Sequence, residues 1–440
     1  MPDRRIRLGV LALFIFAALV AIYLYLTGGA ARLPIEQTMG LRPTIAAPDK
    51  RLVPVIVAPK AVGWAEGATP TPAAGLAVGA FATGLDHPRW LLVLDNGDVL
   101  VAETRGPDAT MNSGVRGLVE GWLQDRVGAS GVSANRITLL RDTNGDGKAD
   151  LRSVLLDGLN APFGMAVAGD HLYVGNTDAL VRFPFKPGET RITATGEKIM
   201  DLPTGGHWTR NVVANADGSR LYVTVESATN AGERGLEYEK NRAAVFEVYT
   251  ENKGSRIFAA GMRDPVGLAW EPESKRLWGV VNERDELGSD LVPDFLTEVE
   301  FGGHYGWPWY YWRGYPDPRV PEPDEDMRQY LTKPDYALGA HTTPLGLAFA
   351  TGARLGPAFA SGAFIGLHGS WNRRPVSGYK VVFVPFAKGR PTGLPRDVLT
   401  GFLDQDGDAQ GRPAGVAIDG KGGLLVADDV GNHIWRVTAR

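Results

Sequence analysis

The densest group of residues able to do chemistry is the run at 282–288 (NERDELG), which follows an apolar segment at 277–281. A turn rich in glycine and aromatic residues comes next, at 301–308 (FGGHYGWP). Charged side chains and turn carbonyls gathered at a strand end suit a hard cation or a polar cofactor better than they suit a core. The sequence therefore predicts a ligand site at 282–288.

Histidine and arginine occupy similar turns elsewhere in the chain. His207 lies in GGHWTRN, and a histidine with a near-neutral pKa can accept a proton from an alcohol. A histidine that only bonds a neighbouring element is an equally good interpretation. Arg263, in GMRDP, could hold a carboxylate or a developing oxyanion, or simply pair with Asp264. Arg373 and Arg412 add cations at matching positions, and such a set of arginines favours an anionic, multi-carboxylate partner.

A second candidate metal site is the loop DTNGDGKAD, whose oxygen ligands would be Asp142, Asn144, Asp146 and Asp150. The spacing is that of a calcium loop, but Ser153 stands where the bidentate glutamate belongs. A hairpin tip stabilised by Asx turns explains the same residues equally well.

Aromatic residues crowd positions 307–312, where they could stack on a sugar; packing between structural elements is the favoured interpretation. The sequence has no phosphate-binding glycine loop, no G-x-S-x-G elbow and no H-E-x-x-H. This argues against the commoner nucleotide and hydrolase chemistries.

A repeated phrase positions these residues. Each copy has a turn with Pro or Gly, an aliphatic run, an Asn/Asp/Gly hairpin and a second aliphatic strand that ends in an acidic or Asn residue. The copies begin at His87, Ala161, His207, Asp264, Thr343 and Arg412. Six copies predict an all-β fold, a six-bladed β-propeller of four-stranded antiparallel blades over residues 80–440. Only short helical turns are expected, for instance near 118–125 and 291–295. Because propeller loops converge on the axis, the His and Arg turns should surround one funnel.

Composition restricts the possible functions. The chain has 440 residues, 44% of them hydrophobic, a net charge of −4 and no cysteine. Thiolate metal sites, iron–sulfur clusters and disulfides are thereby excluded. No basic field recommends nucleic acid as a partner.

The N-terminus predicts a membrane anchor. Arg4, Arg5 and Arg7 precede an uncharged apolar run from Leu8 to Leu26, which is long enough for a transmembrane helix. We expect residues 1–29 to be an uncleaved anchor, with a cleaved signal as the alternative. The propeller would then lie in the periplasm, tethered to the inner membrane. Residues 30–79 are rich in Pro and Ala and are interpreted as a semi-rigid linker, with 52–57 as a possible edge strand.

Taken together, the motifs resemble the glucose/sorbosone dehydrogenase family of quinoprotein sugar dehydrogenases, most closely its sorbosone branch. The phrases that carry the resemblance are LNAPFG (159–164), GHWTRN (206–211), NRAA (241–244), GMRDPVG (261–267), NERD (282–285), GGHYGWP (302–308) and HGSWNR (368–373). It extends from Phe81 to the C-terminus.

The resemblance implies pyrroloquinoline quinone (PQQ) over the funnel and a calcium ion beside it. It makes His207 the general base and Arg263 the group that stabilises the cofactor oxygen. Metal ligands would come from Glu283, Asp285 and Glu286, through backbone carbonyls of the last two. Cofactor contacts would come from Asn160, Arg210, Arg263, Arg284, Arg373, Arg412 and Asp428. The sequence departs from the family pattern at Arg284, where Gln is expected, and at Glu226, where Gly is expected.

The leading functional hypothesis is oxidation of an aldose or sugar aldehyde by hydride transfer to the quinone, with cytochrome c or ubiquinone as electron acceptor. A metal-dependent lactonase-type hydrolase is the second, and it would need a carboxylate cage on the axis. A non-catalytic propeller that binds a ligand is the third.

Overall fold

A computed structural model describes residues 13–20, 22, 23, 25, 28–107, 121–323 and 327–440. Among these residues, no helix is both long enough and apolar enough to cross a bilayer. Residues 8–12, 21, 24 and 26 of the predicted span lie outside the described part of the chain.

Six antiparallel sheets are arranged as the blades of a propeller, so the predicted fold class is confirmed. From inner to outer strand, blade 1 is Pro88–Val93, Val99–Glu103, Arg136–Arg141 and Leu151–Leu156, and blade 2 is Met165–Ala168, His171–Gly175, Ala179–Pro184 and Glu197–Asp201. Blade 3 is Val212–Ala214, Arg220–Val225, Ala244–Tyr249 and Ser255–Ala260, and blade 4 is Asp264–Trp270, Leu277–Asn282, Pro293–Glu298 and Tyr336–Ala340. Blade 5 is Pro344–Phe349, Gly362–Leu367, Lys380–Ala387 and Arg396–Thr400, and blade 6 is Pro413–Ile418, Leu424–Asp428, His433–Ala439 and Leu76–Ala82.

Smaller elements decorate the blades. Met39–Gly40 extends the outer edge of blade 4, Thr71–Pro72 extends blade 5, and Arg390–Pro391 pairs with the third strand of blade 5. Tyr310–Tyr311 and Tyr315–Pro316 form a separate hairpin, and 3-10 turns occur at Ile35–Thr38, Leu236–Glu239, Met327–Tyr330 and Pro357–Phe359. The helical turn expected at 291–295 is wrong, because Pro293–Glu298 pairs as a strand on both sides. All residues of Pro293–Glu298 are buried, so this segment has no exposed face of the kind that a surface helix needs.

The propeller closes because both ends of the chain contribute to blade 6. Leu76–Ala82 pairs antiparallel with His433–Ala439, from Leu76 opposite Ala439 to Ala82 opposite Ile434. The inner strands of all six blades contact one another in an unbroken ring around the axis.

The repeated glycines of the sequence lie in this ring. A Cβ added at Gly267 would lie 2.6 Å from the carbonyl oxygen of Leu345, and one at Gly415 would lie 2.8 Å from that of Arg89. Gly164 and Gly346 meet the next blade in the same way. Glycine recurs after the turn because neighbouring inner strands approach too closely for a side chain.

The core consists of layers between neighbouring blades. Five of the six buried clusters join two adjacent blades, for example Phe364 with Trp435 between blades 5 and 6. The sixth, which packs Phe163 on Trp90 between blades 1 and 2, also includes inner-strand residues of blades 4, 5 and 6. The layer between blades 3 and 4 also contains Tyr311 and Trp312. The aromatic residues at 307–312 are therefore mainly packing residues, as the sequence favoured.

Residues 28–72, which we call the strap, lie on the propeller and do not form a free spacer. The strap begins at the 283–292 loop, where Ser289 donates to the carbonyl of Gly29. It then crosses blade 5, where Asn372 Nδ2 donates to the carbonyl of Val55 at 2.6 Å. Residues 52–57 form no strand. Individual hydrogen bonds between the strap backbone and the propeller loops hold this proline-rich segment in place.

The strap is fixed at blade 6 by Trp64. Its indole donates to Asp428 at 2.6 Å, and its ring packs edge-on against Phe402 and Trp435. Replacing Trp64 by alanine is expected to lower the free energy of unfolding by about 2 kcal/mol, since apolar burial and one hydrogen bond to a buried carboxylate are lost. Limited proteolysis before residue 70 should become faster. Tyr330→Ala, at an exposed aromatic residue, is the control, and equal proteolysis of the two variants would contradict the expectation.

Candidate active site

The topology gathers the sequence-predicted turns at one end of the propeller. Every inner strand begins there, and every second strand ends there, because the strands of a blade alternate in direction. Acidic residues at the ends of second strands accept hydrogen bonds from the turn that leads into the inner strand. Glu226 accepts from Thr209 N–H at 2.7 Å, and Asp428 accepts from Arg412 N–H at 2.8 Å. Glu226, the unexpected residue in its motif, thus closes blade 3 as Asp428 closes blade 6.

His207 is oriented by Asp264 of the next blade. Nδ1 of His207 lies 3.1 Å from Asp264 Oδ1, and it also lies 3.1 Å from both oxygens of Ser227. The side chain is 39% exposed. With the Nδ1 proton directed at a carboxylate, Nε2 carries the lone pair, as a base requires.

Asp264 also binds Arg263. Oδ2 of Asp264 lies 2.6 Å from Nη1 of Arg263, whose side chain is 3% exposed. Arg263 donates further to the carbonyls of Glu283 and Asn230, at 2.9 and 3.2 Å. Ser227 donates to Asp264 from both its hydroxyl and its N–H, at 2.9 and 3.1 Å. One buried carboxylate therefore fixes the histidine and the arginine together.

This arrangement changes the pKa values of both acid and base. Burial opposes the imidazolium form, but the charge and hydrogen bond of Asp264 outweigh it and raise the pKa of His207. Burial would likewise raise the pKa of Asp264, but Arg263 and then His207 hold it below its usual value. Asp264 therefore stays ionised and stabilises the imidazolium that forms when His207 accepts a proton.

The 283–288 loop lies beside this group. Nη2 of Arg263 is 4.0 Å from the carboxylate of Asp285, which in turn lies 3.0 Å from His341 Nδ1. Glu283 uses its carboxylate on Arg284 at 3.0 Å. Glu286 is 4.0 Å from Arg319 and donates its N–H to Asn372. Three of the residues predicted from the sequence, His207, Arg263 and Asp285, thus lie close together in the structure.

Arg284 does not reach the funnel. Its side chain is fully buried and donates to the carbonyls of Pro308 and Tyr310, at 2.7 and 2.8 Å, and to Asp317 at 3.3 Å. It anchors the 299–335 excursion to the loop, which explains why a longer cation replaces the expected glutamine.

The other predicted cofactor residues are spread around the same end. Asn160 is exposed at the entrance to blade 2. Arg210 is buried and donates to the carbonyls of Thr209 and Pro203, at 2.7 and 2.8 Å. Arg373 lies under the strap, with Nη1 on Pro375 O at 2.7 Å and Nη2 4.0 Å from Asp290.

Blade 6 contributes Arg412 and Asp428 to this end. Arg412 donates to the carbonyls of His368 and Gly369, at 3.1 and 2.9 Å. Asp428 is fully buried, and its carboxylate accepts from Trp64 and Trp435. Its contacts are those of a strand-end cap.

The predicted loop at Asp142–Asp150 lies at the opposite end, between the third and outer strands of blade 1. Its oxygens accept turn N–H groups: Asp142 from Gly145 at 2.7 Å, Asn144 from Asp146 at 2.8 Å, and Asp150 from Thr143 at 3.0 Å. Lys421 Nζ lies 2.7 Å from Asp142. The hairpin-tip interpretation describes these contacts. In the part of the chain that the structure describes, no group of three or more His, Cys, Asp or Glu side chains is arranged to hold a metal ion.

Sequence reasoning did not single out Ser227, Asn230, His341 or Asp429. Asp429 binds Arg89 and lies 2.7 Å from His368 Nε2, which joins blades 1, 5 and 6 near the axis. Nothing in the spacing of these residues marks them. Only the strand-end position of Ser227, one residue beyond the acidic residue, could have indicated its role.

The donor groups fit an anionic, planar cofactor such as PQQ. Buried guanidinium N–H groups at this end have no partner in the structure: Nε of Arg89, Arg210 and Arg373, and Nη1 of Arg242. Carboxylates of a ligand would satisfy such donors. Arg89 also lies 5.6 Å from the Trp208 ring, next to His207, so a flat apolar surface adjoins the cations.

Known proteins share this architecture. A PQQ-dependent sugar dehydrogenase of Hypocrea jecorina is 24% identical over 421 residues, covering 83% of this chain and 88% of the relative. An uncharacterized protein of Borreliella burgdorferi is 28% identical over 233 residues, which is 52% of this chain but only 60% of that relative's length. The holo PQQ domain of pyranose dehydrogenase from Coprinopsis cinerea superposes with a TM-score of 0.66 at 18% identity, covering 84% of this chain and 97% of that domain.

The class defined by these findings is a six-bladed propeller related to PQQ-dependent sugar dehydrogenases, as the motifs led us to expect. The TrAA12-like family model matches residues 70–294 and 315–440. The chain belongs to the TrAA12-like family.

Proposed function

We propose that this protein is a PQQ-dependent sugar dehydrogenase that oxidises an aldose or a sugar aldehyde. The observation that carries the proposal is the His207–Asp264–Arg263 group at the funnel end. The sugar and the cofactor are suggested by the names of the Hypocrea jecorina and Coprinopsis cinerea relatives.

In this proposal, bound PQQ supplies the two-electron acceptor for a hydride. Nε2 of His207 takes the proton of the hydroxyl on the carbon that loses hydride, and for an aldehyde this hydroxyl belongs to the hydrate formed with water. Asp264 stabilises the resulting imidazolium. Asp264 and the Glu283 carbonyl hold Arg263 in place. Its positive charge would stabilise the cofactor oxygen on which negative charge develops. The unpartnered guanidinium groups bind cofactor carboxylates.

The remaining sequence predictions are kept as parts of the proposal. Sorbosone-like sugar aldehydes are the expected substrates, and cytochrome c or ubiquinone the expected acceptor. The apolar run 8–26 with its flanking arginines supports an inner-membrane anchor and a periplasmic propeller. The predicted calcium ion at 283–286 is the exception. No part of the reaction is assigned to it, because the Asp285 carbonyl already accepts two hydrogen bonds.

The test is to reconstitute the protein with PQQ and to follow reduction of an artificial dye with a panel of sugars. Dye reduction that needs both PQQ and sugar is the expected result. Tight PQQ binding without turnover would support a non-catalytic propeller, and lactone hydrolysis without PQQ would support the hydrolase hypothesis.

A further inference from the structure

We infer that the 283–288 loop of this chain is closed by arginine, histidine and asparagine side chains in place of a calcium ion, so that PQQ binding does not require calcium. The inference rests on the proposed function for the identity of the cofactor. Its evidence is the set of hydrogen bonds that the loop oxygens already accept.

The Asp285 carbonyl is one of the two backbone oxygens, with that of Glu286, that the family resemblance offers to calcium. It accepts from Arg319 Nη1 at 2.9 Å and from Asn230 Nδ2 at 3.1 Å. Asn230 also accepts the Asp285 N–H at 2.8 Å, so its amide is fixed in place. Since a carbonyl oxygen has two lone pairs, both are already used.

Neighbouring carbonyls of the loop also accept hydrogen bonds, one each at Glu283 and Leu287 and two at Gly288. The Glu283 carbonyl accepts from Arg263 at 2.9 Å, and the Leu287 carbonyl accepts from Asp49 N–H of the strap at 2.9 Å. The Gly288 carbonyl accepts from His341 Nε2 at 3.0 Å and from Leu291 N–H at 3.1 Å. Calcium takes six to eight oxygen ligands, and the Asp285 and Gly288 carbonyls could be among them only after these hydrogen bonds break.

His341 lies against the Asp285 side chain and the Gly288 carbonyl. Nδ1 faces the Asp285 carboxylate at 3.0 Å, while Nε2 faces the Gly288 carbonyl. Both ring nitrogens of His341 therefore face oxygens of the loop. The Asp285 carboxylate is thereby paired on one side by His341 and approached on the other by Arg263.

The departure at Arg284 completes the arrangement. Arg284 binds Asp317, and Asp317 binds Arg319 through Nε at 3.0 Å and Nη2 at 2.8 Å. A series of ion pairs that starts at Arg284 and passes through Asp317 therefore holds Arg319 against the Asp285 carbonyl. A glutamine at 284 would have no charge with which to hold Asp317.

The first experiment titrates PQQ into the apo-protein and follows tryptophan fluorescence, once with EGTA and once with millimolar calcium. We expect dissociation constants that agree within about twofold. Binding at least tenfold tighter with calcium would overturn the inference while leaving the proposed function intact. Failure to bind PQQ under both conditions would instead overturn the proposed function, and the second experiment then decides the inference alone.

The second experiment titrates calcium into the apo-protein by calorimetry, using Asp142→Asn so that the hairpin at the opposite end contributes nothing. We expect no binding tighter than about 1 mM, the weak limit for protein calcium sites. Binding that disappears on adding Asp285→Asn would overturn the inference. As a positive test, Arg319→Met frees one lone pair of the Asp285 carbonyl and should give a melting temperature that rises with calcium. The matched control Arg328→Met, at an exposed arginine bonded to Glu322, should not respond.

Discussion

Replacing His207 by alanine is expected to lower kcat for sugar oxidation by about 10²–10⁴-fold, the usual contribution of a positioned base. The loss should be in kcat, with the affinity for PQQ little changed, because the donors proposed to bind the cofactor belong to arginines, and only Arg210 among them shares the turn of His207. Steady-state dye reduction and a PQQ titration on the same preparation separate the two effects.

The structure provides a matched control for this variant. His171 pairs with Asp170 at 2.6 Å, with the Asp170 side chain 83% exposed, in the hairpin between the first two strands of blade 2. That hairpin lies at the end opposite the funnel, so His171→Ala should leave kcat unchanged. A His207→Ala enzyme with near-normal kcat would remove the histidine from the reaction and with it the proposed role of Asp264.

Replacing Asp264 by asparagine is expected to have two effects of different kinds. The first is on folding: the buried Arg263 loses its partner at 2.6 Å, and such a loss typically destabilises a protein by about 3–5 kcal/mol. The second is on catalysis, because an amide no longer stabilises the imidazolium and can present an N–H to Nδ1, which reverses the tautomer of His207. Thermal unfolding measures the first effect, and kcat measures the second.

The pH profile distinguishes a lost base from a merely damaged fold. In the unmodified enzyme Asp264 raises the pKa of His207, so the acid limb of kcat should lie above pH 6.5, the usual value for imidazole. Activity is lost as pH falls through that limb, since protonated His207 cannot accept a proton. In Asp264→Asn the limb should move to lower pH. An unmoved limb in the residual activity would contradict the link, and Asp170→Asn should leave both limb and stability unchanged.

The sequence predicted the fold well because a propeller is periodic. Each repeat contains its own turn and its own hairpin, and four of the six carry the close-packed glycine, so repeated local patterns specify the whole architecture. The site was only partly predictable. His207 and Arg263 could be identified because glycine and proline place them where inner strands begin. The contact between Asp264 of blade 4 and His207 of blade 3 could not, because it joins two blades.

Contacts between distant segments account for what the sequence could not show. Asp285 meets His341 and Arg319 through loops of different blades and excursions, and no spacing rule encodes those meetings. Arg284 looked like a cofactor contact because its position was read along the motif, whereas its buried carbonyl partners lie in the 299–335 excursion. The strap was interpreted as a linker for a similar reason: proline density excludes helix and central strand, but it does not exclude ordered packing on a surface.

The first residues of the strap have a consequence for how the molecule would sit in a cell. Gly29 is hydrogen-bonded to Ser289, and the Tyr25 hydroxyl accepts from Val53 N–H at 3.2 Å, so the chain leaves the propeller from the funnel end. Three residues can span at most roughly 10 Å, so Leu26, the end of the proposed anchor, lies within that distance of Gly29. A lipid bilayer holding that anchor would face the mouth of the catalytic well. Sugars would then enter sideways, through the crevice between headgroups and protein, while electrons would have their shortest exit into the hydrocarbon phase, where a lipid-soluble quinone diffuses.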